Sequence, residues 1–299
     1  MDQLAAVRIF LRVAETGSFS AVAREFGVAQ PTVSKQVAAL EAHLGAQLLA
    51  RTSRSLSLTE PGQQYYEATK ALTAELDAAE ASIGRRRASP SGVLRVTVPP
   101  AFGRQHVTPL LGGFLARYAE LSVDLIVSER PIDLVHHGLD VGIRIGEPKA
   151  SSLICRRIGS SPRAVMATKD YLERCGEPRA PSELADHYGV VLMLQSVPRE
   201  WRFTGPAGVE TVTPRARLRT NDPENIRQAV LSGLCLALAP KWLFANELAS
   251  GEVRAVMADY QTRQIPINAL YPPARHVPPK VRVFIDFLAK AFAGNPVLA

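Results

Sequence analysis

Ser18-Phe19-Ser20-Ala21-Val22-Ala23-Arg24-Glu25-Phe26-Gly27-Val28-Ala29-Gln30-Pro31-Thr32-Val33-Ser34-Lys35-Gln36-Val37-Ala38-Ala39-Leu40-Glu41-Ala42-His43-Leu44-Gly45 reads as two short amphipathic helices around a sharp turn. Ser18 is placed to cap the first helix, and Gly27 sits where that helix must stop and the chain reverse. Gln30-Pro31 opens the second, because proline is compatible with a first turn. On this second helix Val33, Val37, Leu40 and Leu44 recur at i, i+4, i+7 and i+11 and are expected to face inward. At about 100° per residue the opposite face centres on Pro31 and Lys35, flanked by Thr32, Ser34 and Ala38. Small side chains, hydroxyls and one lysine suit close approach to a DNA major groove, and Gln30 at the helix N-terminus can pair with an adenine edge.

Working outward, residues 47–59 give two short apolar runs around Thr52-Ser53-Arg54-Ser55, a pattern expected of a β-wing. Arg51 and Arg54, near its tip, would meet the sugar-phosphate backbone, contacts that orient a protein without specifying sequence. Thr59 then caps a helix that tolerates Pro61 in its first turn. Along it Tyr65, Leu72, Leu76, Ala79 and Ile83 form one stripe at coiled-coil spacing, with Thr69 the polar exception. The stripe suits either a dimer seam or a helix lying on its own domain. Gly84-Arg85-Arg86-Arg87-Ala88-Ser89-Pro90-Ser91-Gly92 closes the segment with charge and breakers, which marks a domain boundary. Beyond it, β-rich runs such as 93–98 alternate with helical stretches, as in an α/β sheet.

A chain of 299 residues with 46% hydrophobic and 21% charged side chains has room for more than one folding unit and the balance of an ordinary globular protein. The formal net charge is +7, yet residues 1–90 carry ten Lys/Arg against nine Asp/Glu. Most of the excess therefore lies in the second part, and global basicity is no argument for DNA. Charges interrupt the N-terminal apolar residues and no run has the length of a spanning helix, so a cytoplasmic chain with no membrane partner is expected. Cys155, Cys175 and Cys235 are scattered and odd in number, the pattern of reduced thiols. Nucleophile elbow, Gly-rich phosphate loop and metal-ligand spacing are all missing from the sequence. His136-His137, adjacent residues, would point apart on a helix or strand. The expectation is no enzyme, no cofactor and no metal.

The quoted helices, with Thr16-Gly17-Ser18-Phe19-Ser20-Ala21, Leu48-Leu49-Ala50-Arg51 and Leu56-Ser57-Leu58-Thr59-Glu60-Pro61-Gly62, resemble the LysR-type transcriptional regulators. Leu49 stands where phenylalanine is frequent in that family, and Pro61 where alanine is usual; both lie away from the DNA face. The resemblance implies phosphate contacts from Ser18 and Ser20, with Gln30, Pro31, Thr32, Ser34 and Lys35 on the recognition helix. It also implies homodimers paired through linker helices, homotetramers on a pseudo-palindromic operator in double-stranded DNA, and RNA polymerase as a partner.

The resulting expectation is a multidomain α/β chain: a winged helix-turn-helix over 1–59, a dimerising linker helix over 60–89, and an effector-binding domain over 90–299. That domain resembles two Rossmann-like subdomains hinged like a periplasmic binding protein, the first at about 91–163 and 267–299, the second at about 164–266. In such sheets a ligand sits at the carboxyl ends of strands, against helix N-termini. A small-molecule effector would then meet Pro99, Pro100, Ala101, Phe102 and Gly103, Ser128, Arg144 and Ile145, and Asn221 and Asp222. Relatives often carry a hydroxyl in the first of these loops, so a less polar ligand or backbone contacts fit this chain. Asn221 and Asp222 also read as helix caps, Arg144 as an ion-pair residue and Phe102 as core. The competing function is a ligand-independent DNA-binding regulator whose second part only oligomerises.

Overall fold

A computed structural model describes residues 2–51, 56–83, 90–148, 150–194, 197–198, 200–206, 208–274 and 277–299; within these it leaves the side chains of 51, 71, 74–75, 77–83, 194 and 197–198 undescribed. The chain divides into two compact units, one of Met1–Ala88 with Ala274–Pro279 and the other of Ser89–Pro273 with Lys280–Ala299.

The first unit runs α1 (Gln3–Thr16), α2 (Phe19–Glu25), α3 (Gln30–Leu44), β1 (Leu49–Arg51), β2 (Leu56–Leu58) and α4 (Glu60–Ile83). Its core gathers Phe10 and Val13 of α1, Val22 of α2, Val33, Val37 and Leu40 of α3, Leu48, and Tyr66 of α4. Leu44 departs from the expected inward stripe and is 37% exposed. It is the last residue of α3 before the left-handed Gly45, so no further turn covers it. Arg12 ties α1 to α2 through a two-pronged bond to Glu25, with both nitrogens at 2.8 Å, a geometry in which charge and direction reinforce each other.

The start of α4 is locked to the wing by contacts of near-zero tolerance. The Thr59 hydroxyl donates to the Gln47 carbonyl at 2.6 Å and accepts from the Gly62 N–H at 3.0 Å, so Thr59 is the expected cap. Gly62 lies so close to the wing strand that a Cβ there would stand 1.9 Å from the Leu48 carbonyl oxygen.

The second unit begins with β3 (Gly92–Val98), then α5 (Pro100–Phe102), a π-helical turn (Gly103–Val107) and α6 (Thr108–Arg117), which run on as one helix. Pro109 cannot donate to the carbonyl four residues back and its ring crowds that position, so the backbone widens just before it. Next come β4 (Leu121–Val127), β5 (Val141–Ile145), β6 (Ile154–Ser161), β7 (Arg163–Thr168), α7 (Lys169–Cys175), β8 (Tyr188–Leu194), β9 (Val197–Pro198), β10 (Trp201–Gly205), β11 (Gly208–Val212), β12 (Arg215–Thr220) and α8 (Pro223–Leu231). The chain ends with β13 (Ala237–Pro240), α9 (Ala245–Ser250), β14 (Val253–Val256), β15 (Ile265–Tyr271) and α10 (Pro279–Ala293).

Apart from the antiparallel β10–β11 hairpin, these strands build two sheets of one plan. The first has the order β4-β3-β5-β15-β6, with β3 parallel to both neighbours and β15 antiparallel to both of its own. In the second, β8 is parallel to β12 and, through a bridge from Gly189 to Leu236, to the start of β13, while β7 is antiparallel to β13 and β14. In each, the connections leaving the two central parallel strands go opposite ways, which opens a crevice at their carboxyl ends. The chain crosses between the sheets where β6 passes into β7 and again ahead of β15.

A buried joint holds the sheets together. His106, on the π-helical turn, is 8% exposed, and its Nε2 lies 2.9 Å from the Trp242 carbonyl oxygen; a carbonyl only accepts, so Nε2 carries the hydrogen. Phe102 packs edge-on against Trp242 at 5.2 Å and Phe292 of α10 at 5.7 Å, a favoured arrangement of aromatic quadrupoles.

Gly62→Ala is expected to destabilise the first unit by about 3 kcal/mol, because the clash is with backbone rather than a movable side chain; denaturant melts of the full chain check it, and a change below about 1 kcal/mol refutes the contact. Burial holds the His106 imidazole below its ordinary value of 6.5, partly offset by the bond to Trp242. The native state then binds fewer protons than the unfolded state just below that value, so the stability contributed is complete above about 6.5 and lost as pH falls. His106→Asn is expected to lose less stability than the parent between neutral and mildly acid pH; equal losses remove His106 from the linkage.

Candidate functional site

The helix-turn-helix places its chemistry at the start of α3. Pro31, Thr32 and Lys35 are exposed and Ser34 is half-buried, while Val33, Val37 and Leu40 are wholly enclosed. That leaves one polar face, about a turn and a half long, outside the core. Gln30 Nε2 donates to Ser34 Oγ at 3.2 Å, an i,i+4 pair that narrows the conformers of both side chains before any partner arrives. Ser18 caps α2, its Oγ accepting from the Ala21 N–H at 3.2 Å; the hydroxyl hydrogen stays available to donate. Ser20 is exposed on α2, and Lys35 has no carboxylate partner among the described residues. Arg51 stands on β1, but its side chain and the whole of Arg54 lie outside the described residues.

Glu41 does work that no spacing argument showed. Its Oε1 accepts from the backbone N–H groups of Leu48 at 2.8 Å and Leu49 at 3.1 Å, so the carboxylate on the recognition helix fixes where the wing begins. The strand pair that follows matches Leu49 with Leu58 and Arg51 with Leu56, and Leu49 is 6% exposed, filling the position where the sequence lacks an aromatic ring.

In the second unit the expected effector residues separate into three groups. Phe102 is completely buried, and Pro99, Ala101 and Gly103 are buried beside it with Pro100 partly covered. The Phe102 ring belongs to the aromatic joint, so this loop can offer a ligand backbone groups rather than the phenyl face. Asn221 is exposed and Asp222 is a cap, accepting at Oδ1 from the Glu224 N–H at 3.0 Å. Ser128 is turned to its own loop, donating to the Arg130 carbonyl at 2.9 Å. Arg144 remains. Its guanidinium donates to the Ile143 carbonyl at 2.8 Å and to Thr97 Oγ1 at 3.4 Å, next to Ile145 at the carboxyl end of β5, and Thr97 is fully buried on β3. These two strands flank the crevice of the first sheet.

Glu129 is the charged neighbour of Arg144, and through Glu129 and Arg104 the charges of the first sheet meet those of the second. Burial draws the Arg144 guanidinium below the usual value, and Glu129 opposes that shift. Glu129, just after β4, is pushed above the usual carboxylate range by burial and by Asp222 across the crevice, against Arg144 and Arg104. Arg104 reaches Glu224 of α8 at 3.8 Å, and Arg227 of α8 pairs with Glu224 and Glu247. Thr97, Arg104, Glu129 and Glu224 were not among the sequence candidates; their spacing along the chain carries no signal, because only the two-sheet fold brings them together.

Other candidate chemistry is plain. His136 and His137 sit in a turn rather than a regular element, so their exposed rings meet edge-on at 5.0 Å instead of pointing apart. Cys155 and Cys175 are exposed and Cys235 is buried, with burial pushing the Cys235 thiol up to about 11. No group of three metal-binding side chains occurs among the described residues, and no helix there is long and apolar enough to cross a membrane.

Comparison with known proteins agrees with this layout. The family model for the bacterial regulatory helix-turn-helix protein of the lysR family matches residues 4–63, and the LysR substrate binding domain matches residues 87–293. An HTH-type transcriptional regulator of Xanthomonas campestris pv. campestris is 37% identical over 94% of this chain and 83% of its own length. The HTH-type transcriptional activator AaeR of Escherichia coli is 32% identical over 98% of this chain and 94% of its own. The solved structure of CrgA, a LysR-type transcriptional regulator from Neisseria meningitidis, aligns with a TM-score of 0.63 at 31% identity, covering 97% of this chain and 99% of that one. The protein thus belongs to the LysR family, as a DNA-binding transcriptional regulator that joins a helix-turn-helix head to a substrate-binding domain.

Proposed function

We propose that the chain is an effector-responsive regulator in which Arg144 anchors the anionic group of a small molecule in the crevice between the two sheets. The observation that carries this is the guanidinium seated against buried Thr97 at the carboxyl end of β3, with Glu129 as its charged neighbour. A ligand there favours one angle between the sheets, and any such difference in affinity shifts the population of the whole molecule. The subdomains proposed are the two sheets with their helices, the first taking the chain up to β6 and from β15 onward. No enzymatic role is assigned to the crevice.

On the DNA side, Gln30, Pro31, Thr32, Ser34 and Lys35 enter the major groove, with Ser18, Ser20, Arg51 and Arg54 on phosphates. Leu72 and Leu76, at 63% and 37% exposure, give α4 an uncovered apolar stripe; two linker helices paired along it make a homodimer, and two dimers make a tetramer on a pseudo-palindromic operator. Contact with RNA polymerase in the cytoplasm completes the reading.

Two measurements test it. Lys35→Ala is expected to weaken operator binding and to lower the slope of log affinity against log salt by about one per lysine lost; unchanged binding removes Lys35 from the interface. Footprints on the DNA upstream of the chain's own gene, taken with and without anionic metabolites, should change for a compound that binds. Arg144→Gln should cost that compound about tenfold or more in affinity. A ligand that binds yet leaves the footprint untouched refutes the switch.

A further inference from the structure

We propose that Glu15 of α1 is a specificity-determining residue for the operator: it fixes the angle between the DNA-reading head and α4, and so the half-site spacing that a pair of heads accepts. The inference rests on the proposed homodimer through linker helices. The Glu15 side chain is 12% exposed, and its two oxygens face different elements. Oε2 accepts from Arg12 Nη1 at 2.5 Å, while Nε and Nη2 of the same guanidinium grip Glu25 at the end of α2. Oε1 accepts from the Tyr66 hydroxyl of α4 at 3.3 Å, and the Lys70 ammonium, one turn further along α4, stands 3.8 Å away. One enclosed carboxylate therefore joins α1 and α2 to the linker helix.

The cluster is built as a unit. Two cations, Arg12 and Lys70, meet two carboxylates, Glu15 and Glu25. A carboxylate as enclosed as that of Glu15 needs such partners, because burial without them is costly. Lys70 Nζ donates to the Tyr66 hydroxyl at 3.1 Å and lies 5.2 Å from the centre of its ring, so the hydroxyl that reaches Glu15 is itself held by the next turn of α4. Tyr66 is buried in the head's core. A phenol set between a carboxylate and an ammonium fixes direction as well as distance.

Two attachments separated along a helix determine its direction. The first is the lock of Thr59 and Gly62 against Gln47 and Leu48; Glu15 supplies the second, further along α4. Tyr65 also turns to the head, its ring 5.7 Å from that of Phe10 on α1, whereas Leu72, seven residues on in the same stripe, is exposed. The stripe thus passes from head-facing to uncovered beside the Glu15 cluster. From Tyr66 to Ile83 the helix runs about 25 Å. A tilt of about 10° at the cluster would carry its far end about 4 Å sideways relative to the head, more than one base-pair step of about 3.4 Å. In a pair of heads joined by such helices the displacement counts on both sides.

The test is binding by the full chain to duplexes selected from random-sequence DNA, rebuilt as a single half-site and as paired half-sites whose separation is varied by about one to three base pairs. The parent is expected to lose about tenfold or more in affinity away from its best separation. Glu15→Gln keeps an acceptor for Tyr66 but removes the charge that holds Arg12 and Lys70. It is expected to bind the single half-site within about twofold of the parent, and to flatten the loss with separation to about threefold. Tyr66→Phe removes one hydroxyl and leaves the ring in the core; it is expected to act in the same direction, and it decides the matter should Glu15→Gln not fold. An unchanged spacing profile in the folded variants, or a loss of equal size on every duplex including the single half-site, overturns the proposal and leaves the homodimer standing. A parent that binds one half-site as tightly as two overturns the homodimer reading and this proposal with it.

Discussion

The bond from His106 to the Trp242 carbonyl sets the terms for the whole second unit. It is made by a buried ring whose pKa burial holds below the ordinary imidazole value, between a helix of one sheet and the turn that follows β13 in the other. Phe102, Trp242 and Phe292 close around it. Because the π-helical turn holds both Phe102 and His106, the helix that starts at the carboxyl end of β3 cannot shift without moving the joint. In the proposed switch the crevice would open and close about this joint, with Arg104, Glu129, Arg144, Asp222 and Glu224 as the groups that respond.

Electrostatics in that crevice are balanced rather than one-sided. Glu129 and Asp222 repel across it, Arg144 and Arg104 offset them, and Arg104 already reaches over to Glu224. In the proposed reading, a charged ligand that takes over one arginine releases a carboxylate and shifts the sheet angle. The small differences needed, of the order of 1 to 3 kcal/mol for a coupling between sites, lie within what one or two charge-assisted bonds supply.

What could be read in the sequence was local. Ser18 and Thr59 as caps, the glycine turn after α2, the proline opening of α3 and the apolar faces of the first helices all rest on relations within four residues, and such rules act before tertiary structure forms. Leu44 failed because the helical period says nothing of where covering elements stop. Long-range fits were invisible: Glu41 reaches seven residues ahead to the wing, Gly62 is required by a carbonyl that approaches from Leu48, and His106 meets Trp242 across 136 residues. The strand-end rule pointed to both Arg144 and Phe102; the structure places the Arg144 guanidinium against Thr97 and the Phe102 ring in the core, the second of the two readings the sequence left open for it.

The charge distribution links the two units functionally. The head and linker are almost neutral overall, so the DNA face does not draw on a strong general field. Its attraction is confined to a few groups, and the Gln30 to Ser34 pair and the Ser18 cap restrict their conformers in advance. Preordering of this kind lowers the entropy lost on binding but adds little energy per contact. In the proposed homodimer, useful affinity would come from joining two heads, where the second engagement is intramolecular. That makes binding sensitive to spacing rather than to the strength of any one contact. On that reading, an effector domain that alters only an angle would suffice to control it.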